Sequence, residues 1–468
     1  MSILLPHLRT VRGAQPVKLT GRVTALRGLT VMVQDLPLPV GALVMIPRTG
    51  PSDLQGDDGW LDRRGVARSL PGEVVGFQGQ QTIVMMLGAV SGVRPGDRVI
   101  GMQSSQTVAV GASLLGRVID GLGRPIDGLG PLHDTQPREI DPQPLGAMRR
   151  RRIKDPIRTG VRAIDLMTPI GRGQRMGIFA GPGVGKSTLL SSIARHADAD
   201  VVVMGLIGER GREVRDFIED VLGPEGRRRS VVVASTSDES PLMRIRAAMV
   251  ACAAAEQFRD EGLDVMLMVD SITRFAHAHR QVGLSVGEPP ATKGYTPSVF
   301  AAMARLLERA GSLEAEPGRV SGGSITGLYT VLVEGDDMTE PVADAARGIL
   351  DGHIILTRAL AQKGHFPAID VLDSVSRVAG DVSDATHMAA RQQVLRLLAT
   401  HRDVEDLVQI GAYAKGSSPE ADLALVYHPR IIELLRQDAK HFERFEESRA
   451  RMVKLALESG NQGAKRGQ

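Results

Sequence analysis

The chain is poor in several things, and each shortage excludes a class of protein. It has one cysteine, Cys252, so it forms no intrachain disulfide and no thiolate-cluster metal site, and it suits a reducing, cytoplasmic setting. Aromatic residues make up only 3% of it, with Trp60 the single tryptophan, which leaves few rings on which nucleic-acid bases could stack. Charge of one sign is also lacking: 57 Lys and Arg against 54 Asp and Glu give +3, so no overall field draws in nucleic acid or anionic lipid. No apolar run approaches the ~18 residues of a membrane span. The first twelve residues hold only Ile3-Leu4-Leu5 before Pro6, short of a secretory signal, so the chain is expected neither to be exported nor to cross a bilayer by itself.

What is present is ordinary globular material, 42% hydrophobic and 24% charged, in a chain too long for one domain at ~100–200 residues each. Short runs such as Leu29–Val33, Glu73–Phe77 and Thr82–Met86, punctuated by Gly, Pro and Asp, predict an all-β head, a small barrel or sandwich, within residues 1–92. A Gly- and Pro-rich stretch from Gly116 to Pro169 reads as a connector. Beyond Gly171 the apolar runs Met176–Ala180, Val201–Ile207, Ser230–Ala234 and Val265–Val269 alternate with helical stretches. This predicts an α/β domain with a doubly wound parallel sheet, within 93–380, whose ligand site lies at the carboxyl ends of the strands. The clearest helix runs from Ser240 as N-cap to Gly262, with Leu242, Ile245, Met249 and Cys252 on its apolar face. Residues 381–468 are predicted helical over Ala385–Arg402 and Arg430–Leu457, with a frayed polar tail from Ser459.

One motif carries the chemistry. After the strand Met176–Phe179 comes Ala180-Gly181-Pro182-Gly183-Val184-Gly185-Lys186-Ser187-Thr188, followed by a helix, which is the context a P-loop requires. Glycines let backbone N–H groups wrap an anion, and the helix N-terminus adds attraction for phosphate. Lys186 is expected to reach the β- and γ-phosphates of ATP, Ser187 to supply a hydroxyl to Mg²⁺, and Thr188 to add a second hydroxyl. Ala180 stands in place of the usual opening glycine.

Phosphoryl transfer needs a metal-holding carboxylate, a carboxylate near water and a cation. Asp270 ends the run Val265–Val269, where a strand-tip aspartate holds Mg²⁺; it also reads as an N-cap for the segment beginning at Ser271. Glu209 ends another strand and is positioned to polarise water, or else to form a surface ion pair. Arg210 is a candidate for the γ-phosphate and Glu213 for the Mg²⁺ shell.

The segments Gly160–Asp165, Gly173–Gly177, Leu206–Val214 and Gly287–Tyr295 resemble those of the type III protein export ATPases, relatives of the catalytic subunits of rotary ATP synthases. The likeness covers nearly the whole chain, and Gln174-Arg175-Met176 with Val184 is closer to the flagellar branch than to the injectisome branch. The resemblance implies an N-terminal β-barrel, a RecA-like ATPase core and a helical C-terminal domain, assembled as a homohexamer with sites between subunits. It implies that Arg377 is a finger reaching a neighbour's γ-phosphate, where residues alone suggest an intrasubunit salt bridge. It implies that Phe366 packs against adenine, where the plain alternative is core packing. Implied partners are a stator-like regulator at the N-terminal segment, membrane proteins of the export gate, and export chaperones and substrates, at the cytoplasmic face of the inner membrane; no nucleic acid is expected.

An RNA-translocating hexameric ATPase is the rival reading, invited by Arg149–Arg152 and Arg227–Arg229 but offering only Trp60 and Phe77 for stacking in the head. A rotary synthase subunit and a nucleotide-binding scaffold without turnover are the others.

Overall fold

The structure, a computed structural model, describes residues 19–47, 69–103, 106–315, 322–333, 335, 337–439 and 441–466; Trp60 and the N-terminal segment lie outside them. Six antiparallel strands, β1 (Thr20–Arg27), β2 (Thr30–Gln34), β3 (Leu43–Pro47), β4 (Ser69–Gln78), β5 (Gln81–Met86) and β6 (Arg98–Gln103), close into a barrel in the order β1-β2-β5-β4-β3-β6. Alternate residues such as Val44 and Ile46 of β3 point inward, onto a core with Val23, Val31, Val84 and Val99. Closure removes the exposed edges that an open sandwich would leave. The last strand lies beyond residue 92, so the expected head was cut one strand short. The barrel joins residues 239–243 and 278–296 in one compact unit, and residues 108–238, 244–277 and 297–468 form a second.

The second unit is built on a sheet whose main path runs β14-β13-β8-β12-β11-β9-β10-β7. Its strands are β7 (Val118–Ile119), β8 (Arg175–Ala180), β9 (Val201–Glu209), β10 (Ser230–Thr236), β11 (Asp264–Asp270), β12 (Ser324–Leu332), β13 (Gly352–Leu356) and β14 (Ile369–Ser376). All run parallel except β14, which pairs antiparallel with β13. All nine residues of β9 are buried, as both-face coverage requires of an apolar run. The 116–169 stretch is more than a connector. It supplies β7 at one edge of the sheet, and a short helix, Arg162–Met167, with five of its six residues buried.

Helix α1 (Lys186–His196) follows β8, α2 (Pro241–Asp260) precedes β11, and α3 (Ile272–Ser285) follows it. Ser240 Oγ accepts from Met243 N at 3.3 Å, capping α2 as expected. The predicted apolar stripe is too narrow, however. Ala247, Ala248, Val250 and Ala251 are as buried as Cys252, and Met249 is only partly so, because small residues let α2 be surrounded. Helices α4 (Ala385–Gln409), α5 (Pro419–Leu435) and α6 (Phe445–Arg466) complete the chain. Their Val394, Leu397, Tyr427, Ile431 and Met452 share one buried cluster with Ile164, Ile178 and Met204. Two expectations are corrected here. The helix predicted over Arg430–Leu457 is broken between α5 and α6, and the tail predicted to fray continues as helix to Arg466, where Gln393 Nε2 donates to Ser459 Oγ.

Candidate active site

The loop from Gly181 to Gly185 joins the end of β8 to α1. Gly183 (φ 77°) and Gly185 (φ 91°) take the left-handed conformation that side chains disfavour. Val184 is buried and anchors the loop, whereas Pro182, Gly183, Ser187 and Thr188 are exposed. No side chain caps the N-terminus of α1, which leaves its first N–H groups for an anion. Ala180 is buried and belongs to the strand.

Three strand ends deliver the chemistry. Lys186 Nζ hydrogen-bonds to Asp270 Oδ1 and stands 3.8 Å from Glu209 Oε1. Asp270 closes β11 and accepts from Thr330 Oγ1 of the neighbouring β12 at 2.6 Å. The capping alternative falls to Ser271, whose Oγ accepts from Arg274 N. Glu209 closes β9 just after Gly208 (φ 70°), where the pairing with β10 slips by a residue; such a bulge re-aims the side chain beyond it. Glu209 is only 9% exposed, which rules out a surface ion pair. Its carboxyl is pushed up to about 7, first by burial and then by the Asp270 charge, with Lys186 and Arg274 opposing and a hydrogen bond with Glu213 adding to the rise.

Arg274, which the sequence did not single out, places Nε 3.5 Å from Glu209 Oε1. It was one arginine among many on a helix whose facing cannot be read from one sequence. Arg210 pairs with Glu213 at 3.5 Å, and its side chain is largely exposed; the structure does not bring it to Lys186.

Phe366 is 48% exposed, so it is not core packing. It lies 3.7 Å from where a Cβ on Gly185 would stand, and lines a cavity of about 110 Å³ with Val161, Gly185, Thr188, Pro367 and Gln437. Gln437 lies in the break between α5 and α6 and was also missed.

Arg377 is elsewhere. It follows β14, whose Ser376 pairs with Gly352 at the start of β13, while Leu356 at the other end of β13 pairs with Ala180 before the P-loop. Five strand residues at ~3.3 Å each put Arg377 at the opposite end of the sheet, ~16 Å away along the strands. It is exposed and donates to the Arg347 carbonyl at 3.4 Å, with no carboxylate partner among the described residues.

The basic runs are largely occupied. Arg150 donates to the Ala310 carbonyl and pairs with Glu308, Arg151 pairs with Asp155, and Arg229 donates to the carbonyls of Ala194, Arg195, Ala197 and Ala199 at the end of α1.

A phosphate-cradling loop, its lysine and two strand-end carboxylates on this sheet define a P-loop nucleotide hydrolase. Comparison with known proteins narrows the class. Residues 160–376 match the ATP synthase alpha/beta family, nucleotide-binding domain, and residues 383–454 match the T3SS EscN ATPase C-terminal domain. The chain is 45% identical to the flagellum-specific ATP synthase of Pseudomonas aeruginosa, over 94% of each chain. It is 48% identical to that of Bacillus subtilis, over 88% of this chain and 93% of the relative. The assembled ATPase EscN from the enteropathogenic E. coli type III secretion system superposes with a TM-score of 0.83 at 39% identity, covering 93% of this chain and all of EscN. The chain belongs to the family of flagellum-specific ATP synthases and type 3 secretion system ATPases, and it is an ATPase.

Proposed function

We propose that the chain hydrolyses ATP to energise flagellar type III protein export, releasing substrates from chaperones and unfolding them at the export gate. The observation that carries the chemistry is the meeting of Lys186, Asp270 and Glu209 beside an uncapped loop–helix junction. Backbone N–H groups from Gly183 to Thr188 bind the β- and γ-phosphates, and Lys186 neutralises their charge. Glu209, with a carboxyl that titrates near neutrality, orients a water and takes its proton as the water oxygen bonds to the γ-phosphorus. The bond from that phosphorus to the bridging oxygen breaks, and ADP leaves with the electron pair. Ser187, Asp270 and Glu213 offer the all-oxygen donor set that suits Mg²⁺, which when bound neutralises the phosphate oxygens. Phe366 packs against the base.

Arg377 stands too far along the sheet to serve its own P-loop and serves a neighbour's, which calls for a homomeric ring, a homohexamer. EscN, described as an assembled ATPase and in complex with its central stalk EscO, supports that reading. A stator-like regulator would bind the N-terminal segment, and the ring would sit peripherally on the inner membrane. None of the described helices is long and apolar enough to cross a membrane. The local pairing of Arg150, Arg151 and Arg229 favours protein over nucleic-acid partners.

The test is Glu209→Gln, which is expected to keep nucleotide binding and abolish hydrolysis; unchanged turnover removes Glu209 from the mechanism. A type 3 secretion system ATPase of Xanthomonas euvesicatoria is as similar, 46% identical over 91% of each chain, and favours an injectisome as the second reading. Deleting the gene decides between them, by whether flagella or the injectisome is lost.

A further inference from the structure

Gln437 lies in the break between α5 and α6 and is fixed there by several elements. Gln437 is 8% exposed, and its whole amide is engaged. Oε1 accepts from Arg162 N at 2.8 Å, while Nε2 donates to the Gly160 carbonyl at 2.9 Å and the His441 carbonyl at 2.8 Å. Its backbone N–H donates to the Phe366 carbonyl at 2.9 Å. One residue therefore ties together the strap before the Arg162–Met167 helix, the aromatic beside the P-loop, and the chain between the C-terminal helices. The neighbouring residues fasten the same segment to the helix that follows the P-loop, through Arg195 Nη2 to the Ala439 carbonyl at 3.1 Å and His196 stacked on Phe442. Arg436 Nη2 reaches the Gly364 carbonyl at 2.7 Å. The cavity beside Gly185 is walled by Phe366 and Pro367 on one segment and Gln437, Asp438 and Ala439 on the other.

We propose that Gln437 is a positioning residue for nucleotide binding, setting the gap between Phe366 and the 437–439 segment into which the base fits. The inference rests on the reading of Phe366 as the base wall. A glutamine is suited to the post because it presents one acceptor and two donors, matching the amide N–H and the two carbonyls it faces. Glutamate has nearly the same shape, but its carboxylate faces both carbonyls without a proton to offer. Methionine fills the volume and offers nothing to either.

Steady-state ATP hydrolysis by the full chain tests this with Gln437→Met and Gln437→Glu, alone and combined with Phe366→Ala. The expected result is a KM for ATP raised about 10-fold by Gln437→Met and further by Gln437→Glu, with kcat within about 3-fold of the native chain, as for lost ground-state binding. Because Gln437 acts through the wall, Gln437→Met should add little to the KM of Phe366→Ala. An unchanged KM with lowered thermal stability, a loss confined to kcat, or additive effects on KM would each overturn the proposal. Should Gln437→Glu fail to fold, Gln437→Met carries the test. A Phe366→Ala variant with native KM sinks the base-wall reading instead, whatever the Gln437 variants do.

Discussion

Glu209 is the residue whose environment makes the sharpest demands. Its carboxyl is raised from the ordinary 4.5 to about 7, so as a base it is half ionised near neutrality. The kcat/KM profile of the free enzyme is therefore expected to rise with pH through an acidic limb near 7, and Glu209→Gln to have no activity left to show such a limb. Stability moves the other way. A carboxyl whose folded value lies above its unfolded one favours the fold fully below about 4.5, and that contribution is lost as pH rises through 7. Thermal unfolding should thus show Glu209→Gln more stable than the native chain at about pH 8, on the order of 2 kcal/mol, and level with it at about pH 4. A gain independent of pH would refute the account. Gly208 is under a different constraint. Its φ of 70° is left-handed, and a Cβ there would lie 2.9 Å from Arg274 Cδ and 3.3 Å from Arg244 Cδ. Gly208→Ala is expected to displace Arg274 from Glu209 and to lower kcat at least tenfold, with nucleotide affinity little changed.

Elements differ in how they announce themselves. The central strands were legible because a strand covered on both faces must be apolar throughout, and Val201–Ile207 or Val265–Val269 can be little else. The residues ending them were legible in place for the same reason, since the run stops where the strand does. The barrel's closing strand was not. Arg98–Gln103 is interrupted by Gly101, where a Cβ would come within 2.8 Å of Leu38 Cδ1, so a small residue suits the packing although it weakens the apolar pattern. Nor was the interruption after Leu435, because Arg430–Leu457 is rich in helix formers and propensity yields to tertiary contacts. In the break Gln437 bonds to Gly160 and Arg162, some 275 residues away. The partners of the arginine run at 227–229 were hidden for the same reason. Arg229 closes the C-terminus of α1 by donating to four carbonyls, where a cation also complements the helix dipole. Arg229→Met should cost about 2–3 kcal/mol in chemical denaturation, because four part-buried carbonyls lose a charged donor. A loss under about 0.5 kcal/mol would make this arginine a surface residue in energetic terms.

At the scale of the whole molecule, the proposed site has its two parts at opposite ends of one sheet. Lys186 and Glu209 lie at the carboxyl ends of the parallel strands, and Arg377 lies past the amino end of β13. No side chain spans that distance, so on the shared-site proposal a subunit needs a neighbour on each side. A finger of this kind is worth roughly 10³–10⁵ in rate, and Arg377→Ala and Lys186→Ala should each be nearly inactive when pure. Mixed before assembly, they are expected to recover activity. An Arg377→Ala subunit keeps an intact P-loop, a Lys186→Ala subunit keeps an intact finger, and with equal random mixing about a quarter of the interfaces receive both. Hydrolysis approaching about a quarter of the native rate, absent from either variant alone and dependent on mixing before ring formation, is the signature of a site shared between copies. If the mixture stays as inactive as its parts while sizing shows that mixed rings have formed, Arg377 does not act across the interface and the shared-site account fails.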